Sequence, residues 1–407
     1  MRAMKDSGIE CVGDIPVDWS MRRLRFLCFI TTGNQDTQDN DPDGEYPFYV
    51  RSPIVERSHK YTFDGPAILM SGDGAGAGRI FHKVSGKYAC HQRVYSMQNI
   101  HDIDSAFLFY YLRELFPVTL EMANAKSTVD SVRLPMLQDF TVLLPSPAEQ
   151  QRIAAYLDEQ CGEIDKVLAK TRESIEEYKK LKQSVITEAV TKGIRPDRPM
   201  KPSGNIWFEV IPETWGLKKV KYLFKIKKDI AGKEGFTVLS ITQRGVKPKD
   251  LTKNEGQLAE NYSKYQIVCP GDFAMNHMDL LTGWIDISKF HGVTSPDYRV
   301  FTLIDSEKQN PHYFLYMMQM CYSNRIFYGL GQGVSGMGRW RLQPDKFLNF
   351  TIPVPSLDEQ QEIVAYLDQQ CAEIDRLIAK KEQIITELES YKKSLIYECV
   401  TGKLEVE

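Results

Sequence analysis

One stretch of this chain is written twice. "PSPAEQQRIAAYLDEQCGEIDKVLAK" runs from Pro145 to Lys170, and "PSLDEQQEIVAYLDQQCAEIDRLIAK" follows roughly 210 residues later, from Pro355 to Lys380. The ungapped match continues to Thr191 and Thr401 with about half the positions identical. Shared helical composition does not produce such agreement by chance, so the chain is a tandem duplication and its fold has to be built twice. A second pair of strings opens each half: "MKDSGIECVGDIPVDW" (Met4 to Trp19) matches "MKPSGNIWFEVIPETW" (Met200 to Trp215), sharing Met-Lys, Ser-Gly and I-P-x-x-W. Between the shared ends the two halves agree only in pattern.

The repeated segment has helix chemistry. Ser146 and Ser356 are expected N-caps, Glu149 and Glu359 complete S-x-x-E capping boxes, and Pro147 takes the favoured first helical position. Leu157, Ile164, Tyr178 and Val185 then fall seven or fourteen residues apart, with Val167, Leu168, Ile175 and Leu181 between them. The second copy offers Leu367, Ile374, Leu388 and Leu395, with Leu377, Ile378, Ile384, Ile385 and Tyr391. Each is a coiled-coil stripe of about 40 residues, hence roughly 60 Å at ~1.5 Å per residue, too long to hide inside one compact domain. The expected partner of each copy is the other, packed antiparallel, with Thr171 and Lys381 as equivalent polar seam positions that fix register.

The variable regions hold short apolar strands such as "YPFYV" (Tyr46 to Val50), "PAILM" (Pro66 to Met70), "FTVLSI" (Phe236 to Ile241) and "DFAMN" (Asp272 to Asn276). One helix follows in each, "SAFLFYYLREL" (Ser105 to Leu115) and "PHYFLYMMQM" (Pro311 to Met320), and Val190 to Asn205 reads as an exposed connector. The fold class is therefore α+β: two globular domains separated by a pair of long antiparallel coiled-coil helices, related by an internal pseudo-twofold. The expected boundaries are 1–144 for the first domain, 145–193 for the central helix, 194–354 for the linker and second domain, and 355–407 for the C-terminal helix.

Composition excludes several classes. No run approaches the ~18 apolar residues of a membrane span, and the opening lacks the basic-then-apolar build of a signal peptide, so a cytoplasmic protein without a membrane role is expected. The eight cysteines are scattered without a C-x-x-C pair, which fits reduced thiols and no metal site. A net charge of -3 neither advertises nor excludes nucleic acid, but "LKKVKYLFKIKKD" (Leu217 to Asp229) is a basic run with aromatics interleaved, and "RRLRF" (Arg22 to Phe26) is its shorter counterpart.

Strings that invite an enzymatic reading fail on context. "GQGVSG" (Gly331 to Gly336) and "GDGAGAG" (Gly72 to Gly78) lack the full context of a dinucleotide site, a strand before, a helix after and an acidic residue about 20 further on: "RWRLQPDKF" follows the first, "RIFHKV" reads as a strand after the second, and both read as flexible loops. "NPHY" (Asn310 to Tyr313) approaches the N-P-P-[YF] that grips a flipped base in amino-methyltransferases, but the first half has "DSAF" there, and a helix start with Pro near its first position is the simpler reading. His91 has no nucleophile or carboxylate at a telling spacing. No catalytic residue and no cofactor are expected.

The remaining polar loops suit base readout, in which Arg pairs with guanine, Gln or Asn with adenine, and Lys and Ser position phosphates. The candidates in the first half are Arg51, Ser71, Arg79, His91, Gln92, Arg93, Lys126 and Ser127. Those in the second are Thr242, Gln243, Arg244, Asn276, His277, Arg299, Gln332, Ser335, Arg339, Trp340 and Arg341.

The doubled order of Ile15, Pro16, Trp19 before Pro145, Glu149, Gln150, Ile153, and of Ile211, Pro212, Trp215 before Pro355, Glu359, Gln360, Ile363, resembles the specificity subunit of type I restriction-modification systems over nearly the whole chain. The resemblance implies two target-recognition domains, each reading one half of a bipartite double-stranded DNA site. It also implies an antiparallel helix pair that docks two methyltransferase subunits, with motor-nuclease restriction subunits joining through the complex. One departure is Cys11, where similar proteins often carry the Trp seen at Trp207. The alternatives are a stand-alone DNA methyltransferase, opposed by the missing cofactor motif, and a coiled-coil scaffold without DNA readout.

Overall fold

The computed structural model describes residues 2–124, 131–250, 261–333 and 340–407. They form two compact units, residues 1–172 with 381–407, and residues 173–380. Each unit therefore takes one portion of each long helix, Pro147–Lys192 (46 residues) and Leu357–Val400 (44 residues). In the first unit Leu157, Cys161, Ile164 and Leu168 share a core with Leu388, Leu395, Ile396 and Cys399. In the second, Val185, Ile186, Ala189 and Val190 pack with Ile363, Val364 and Leu367. The pairing is antiparallel in both, and one ion pair marks it twice with the copies exchanged: Lys392 Nζ reaches Asp165 Oδ1 at 2.6 Å, and Lys182 Nζ reaches Asp375 at 2.7 Å.

The seam is narrower than the apolar pattern predicts. Val167, Leu181, Ile384 and Tyr391 are exposed, because a two-helix contact buries only one stripe of each cylinder. Thr171 does not fix the register; its Oγ1 donates to its own helix at Val167 O, 2.8 Å away. The complementary Asp-Lys pairs do so instead.

The capping boxes are also corrected. Ser146 Oγ and Ser356 Oγ accept from the backbone N–H of Glu149 and Glu359 at 3.3 and 3.4 Å, as N-caps should. The glutamates do not turn back. Glu149 Oε2 accepts from Trp19 Nε1 at 3.1 Å and pairs with Arg2; Glu359 Oε2 accepts from Trp215 Nε1 at 2.9 Å and pairs with Arg198. Both indoles are 1% exposed, and each guanidinium lies over its ring, at 5.8 and 5.5 Å. The neighbouring glutamines fasten the domain helices. Gln150 Oε1 accepts from Asp104 N at 2.7 Å, just before the helix Ser105–Asn124, and Gln360 Oε1 accepts from Asn310 N at 2.8 Å, just before Pro311–Ser323. The end of the other long helix closes on the same spot. Gly402 and Gly193 turn there with φ of 73° and 80°, and a Cβ would meet Trp19 at 3.1 Å in one case and Trp215 at 3.3 Å in the other.

Each unit's core is completed by an antiparallel four-stranded sheet of the same topology. Its order is Phe29–Thr32, Val94–Gln98, Ala67–Ser71, Phe81–Val84 in the first unit, and Phe224–Lys227, Arg299–Leu303, Phe273–Met275, Ile285–Ile287 in the second. A separate pair of strands leads into each long helix, Ser20–Arg23 with Thr141–Leu144 and Gly216–Lys219 with Thr351–Val354.

The departure at Cys11 has a visible result. Trp207 packs so closely on Gly329 that a Cβ there would lie 2.7 Å from the indole, whereas Cys11 lines a cavity of about 200 Å³ with Ile9, Tyr111, Leu115 and Met136. Cys11→Trp should fill it and raise stability by about 1 kcal/mol; a lower melting temperature would mean that the cavity cannot take the ring. The clamp yields the opposite expectation. Glu359→Ala leaves a nearly buried guanidinium and an indole N–H without their acceptor and should cost on the order of 3 kcal/mol in urea unfolding. A loss below ~1 kcal/mol would remove the clamp from its structural role.

Candidate nucleic-acid interface

In the first unit the strands Ala67–Ser71 and Val94–Gln98 end side by side, Ser71 opposite Val94, and the loops that leave there are tied together. Gly72 N donates to Arg93 O at 2.8 Å, and Gly72 O accepts from Val132 N at 2.8 Å. A side chain at residue 72 would sit 2.9 Å from Arg93 O, so the close approach requires glycine. This brings Arg51, Arg93 and Gln92 to one place. Asp73 holds the two arginines, at 3.1 Å from Arg51 Nη1 and 3.7 Å from Arg93 Nε. Asp36 accepts from Gln92 Nε2 at 3.3 Å, and the backbone N–H of Thr37, with desolvation opposing and His91 assisting, keeps its carboxyl below the usual range. All three candidate side chains are exposed, and their carboxylate partners orient them while leaving donors free for a ligand.

Two candidates of this unit lie behind the loops. Ser71 is 1% exposed and donates to Asp73 O at 3.3 Å, and His91, 3% exposed, stacks on Phe48 and accepts from Arg93 N at 2.9 Å through Nδ1. Both shape the loops from within and are too deep to touch a base edge. Arg79 stands apart on the surface, 3.0 Å from Glu121. Lys126 and Ser127 lie outside the described residues.

The second unit repeats the arrangement with other side chains. Met275 pairs with Arg299 at the corresponding strand ends, and the chain leaves through Asn276 and His277. Leu342 N donates to His277 O at 3.0 Å, the counterpart of the bond between Val132 and Gly72, and Gln332 and Arg341 exchange two backbone hydrogen bonds of 2.9 Å. Gln332 and Arg341 thus project exposed side chains from one rung. Trp340 is an anchor: its ring stacks on Tyr328 at 5.3 Å, and Nε1 donates to Tyr328 O at 2.6 Å. Thr242, Gln243 and Arg244 form an exposed hairpin tip, attached to the sheet where Asp286 Oδ2 accepts from Val246 N at 3.0 Å. Asn276 is half-buried, its Oδ1 accepting from Met278 N at 3.2 Å.

Arg299 is not a surface reader. It is 4% exposed, donates to Leu342 O at 2.9 Å and lies 4.7 Å over Phe347, and burial lowers its pKa to about 10. It supports the base of the loop, as Tyr95 does in the first unit by donating to Val132 O at 3.0 Å. Ser335 and Arg339 lie outside the described residues. The supports Asp36, Asp73 and Tyr95 carry no signal in the sequence, because their roles arise only when loops distant in the chain converge.

One catalytic-looking string has a structural role, while residues 334–336 of "GQGVSG" lie outside the described residues. Asn310 of "NPHY" caps its helix, accepting from His312 N at 2.9 Å with Pro311 next in line. Among the described residues no group of three or more His, Cys, Asp and Glu could hold a metal, and no helix is long and apolar enough to cross a membrane.

The comparisons with known proteins find the same doubled organisation. The family described as "Type I restriction modification DNA specificity domain" matches residues 16–177 and 212–390. The EcoDI specificity subunit of Escherichia coli is 25% identical over 413 residues, 96% of this chain and 90% of that protein. The MjaVIII specificity subunit of Methanocaldococcus jannaschii is 25% identical over 420 residues, covering 96% and 94%. A chain from a solved structure of a type I R-M system shares the fold, with a TM-score of 0.68 at 16% identity over 96% of this chain and 99% of the other.

A pH dependence follows from His277. Burial, with the charges of Arg299 and Arg341, lowers its pKa to about 3. In the unfolded chain the ring protonates below about pH 6.5. The fold is therefore favoured above that value, and the contribution is lost as pH falls from about 6.5 towards 3. His277→Asn should reduce the acid sensitivity of unfolding in urea between pH 7.5 and 4.5; equal slopes for the two proteins would contradict this.

Proposed function

Because the chain belongs to the family of type I restriction-modification DNA specificity proteins, we propose that it is the DNA-recognition subunit of such a complex, with each unit reading one half of a bipartite double-stranded site. The observation that carries this reading is the placement of unlike Arg- and Gln-bearing loops at the same strand ends of two like sheets. One scaffold with two different loop sets is what two different half-sites demand. Arg51, Gln92 and Arg93 are the base readers we assign to the first unit, and Gln243, Arg244, Gln332 and Arg341 those of the second. The subunit itself supplies no catalysis. Two methyltransferase subunits, which hold S-adenosylmethionine and modify adenine, dock on it, and restriction subunits join through them. The long helices set the number of unread base pairs between the half-sites. The complex works on DNA in the cytoplasm.

Replacing residues 21–140 with the same region of another specificity subunit tests the reading. Genome-wide mapping of methylated adenines should show one half-site changed and the other kept. If both halves change together, the two-module reading is wrong, and if the reconstituted complex protects no sequence at all, a scaffold without DNA readout takes its place.

A further inference from the structure

One doubled feature lies away from the loops assigned above to base readout. "RRLRF" in the first unit and "KKVKY" in the second fold alike: each runs from a strand (Ser20–Arg23, Gly216–Lys219) into a single 3₁₀ turn (Leu24–Phe26, Val220–Tyr222). The apolar third residue is fully buried, Leu24 and Val220 both at 0%. The aromatic fifth residue is turned outward, Phe26 at 60% and Tyr222 at 67% exposure, and the basic residues around it are exposed too. An outward aromatic ringed by cations is a recognition surface rather than a stabilising one, because both rings face solvent, with Lys221 lying 5.3 Å from the centroid of Tyr222.

Its position says what it meets. The turn leads into the strand that starts at Phe29, opposite Gln98, whereas the readout loops leave the other end of that sheet, where Ser71 faces Val94. In the second unit Phe224 faces Leu303 at the patch end, and Met275 faces Arg299 at the readout end. The patch therefore lies at the end of the sheet opposite those loops. The readout loops also differ between the halves, as two half-sites require, while the patch keeps one design, as two copies of one partner require. We infer that Phe26 and Tyr222, with their flanking basic residues, are the anchors of two equivalent docking surfaces for the acidic face of a protein present in two copies. This rests on the reading above, which makes that protein the modification subunit.

The two surfaces are alike in shape and unequal in charge. In the first unit Arg22 pairs with Asp102 at 2.9 Å, and Arg23 and Arg25 share Asp139. In the second, Asn349 stands where the repeat aligns Asp139, with its amide donating to Asp345, and among the described residues no carboxylate pairs with Lys218, Lys219 or Lys221. The second surface thus offers its full charge to a partner, and the first has spent much of its own. The two copies should bind with different salt dependence.

The test uses the full chain co-expressed with the modification subunit of its own system, with stoichiometry read by native mass spectrometry. Phe26→Ala and Tyr222→Ala, both at exposed rings, should fold with unchanged circular dichroism and each retain one partner instead of two; the double variant should retain none. The Debye length falls from ~10 Å to ~3 Å between 0.1 and 1 M salt, so the copy left on Phe26→Ala, seated on the second unit, should weaken roughly tenfold or more, and the copy left on Tyr222→Ala should weaken far less. Two partners retained by both single variants would overturn the assignment. So would unaltered stoichiometry with uniformly weaker DNA binding and a shallower salt slope, which would give the patch to the phosphate backbone. If wild type assembles but protects no DNA sequence, the functional reading fails while the docking result stands.

Discussion

An indole N–H donated to a buried carboxylate is the contact on which the rest of this structure depends. Trp19 with Glu149 and Trp215 with Glu359 join the start of each half to the start of a long helix, and an arginine closes each pair from above. A glycine at the end of the other long helix turns against the same ring. Three chain segments meet at one carboxylate. Its burial is tolerable because indole, guanidinium and Ser-capped backbone satisfy its neighbourhood together, and for the same reason no member can be removed cheaply.

That fixed frame permits variation elsewhere. The sheets keep one topology and one pairing of strand ends, so loops of different length and chemistry emerge at the same place in each unit. Inside the loops the polar side chains divide by depth. Arg299, His91 and Ser71 hold backbone from within, and Arg51, Arg93, Gln332 and Arg341 point outward. Exposed arginines tethered to Asp73 keep their orientation without losing every donor.

Much of the fold was legible because duplication doubles the signal: a capped helix written twice, an apolar stripe written twice and the strands between them. The errors have physical causes. S-x-x-E is ambiguous between a local capping box and a long-range acceptor, and here Trp wins the glutamate. Arg2 and Arg198 could have been found, since they precede the matched Met-Lys pair at the same spacing in both halves. The glycines were harder, because Gly193 and Gly402 are offset by one position in the alignment of the repeats. For the candidate readout residues, selection rested on residue type, and type does not encode depth. Arg299 and Arg341 look equivalent in the sequence, and only the convergence of strand end and loop puts one inside and one outside.

The partition of the long helices has a consequence for how the protein is made. The second unit is one uninterrupted run, residues 173–380, whereas the first needs residues 381–407 to meet residues 1–172. During synthesis the first half leaves the ribosome with its helix seam uncovered, and Ile164 and Leu168 wait for partners such as Leu388 and Leu395 that are translated more than 200 residues later. The second unit can close as soon as its own run is complete. Synthesis order and folding order are therefore inverted between the two halves, and the first is the one exposed to chaperones or to premature pairing with a neighbouring nascent chain.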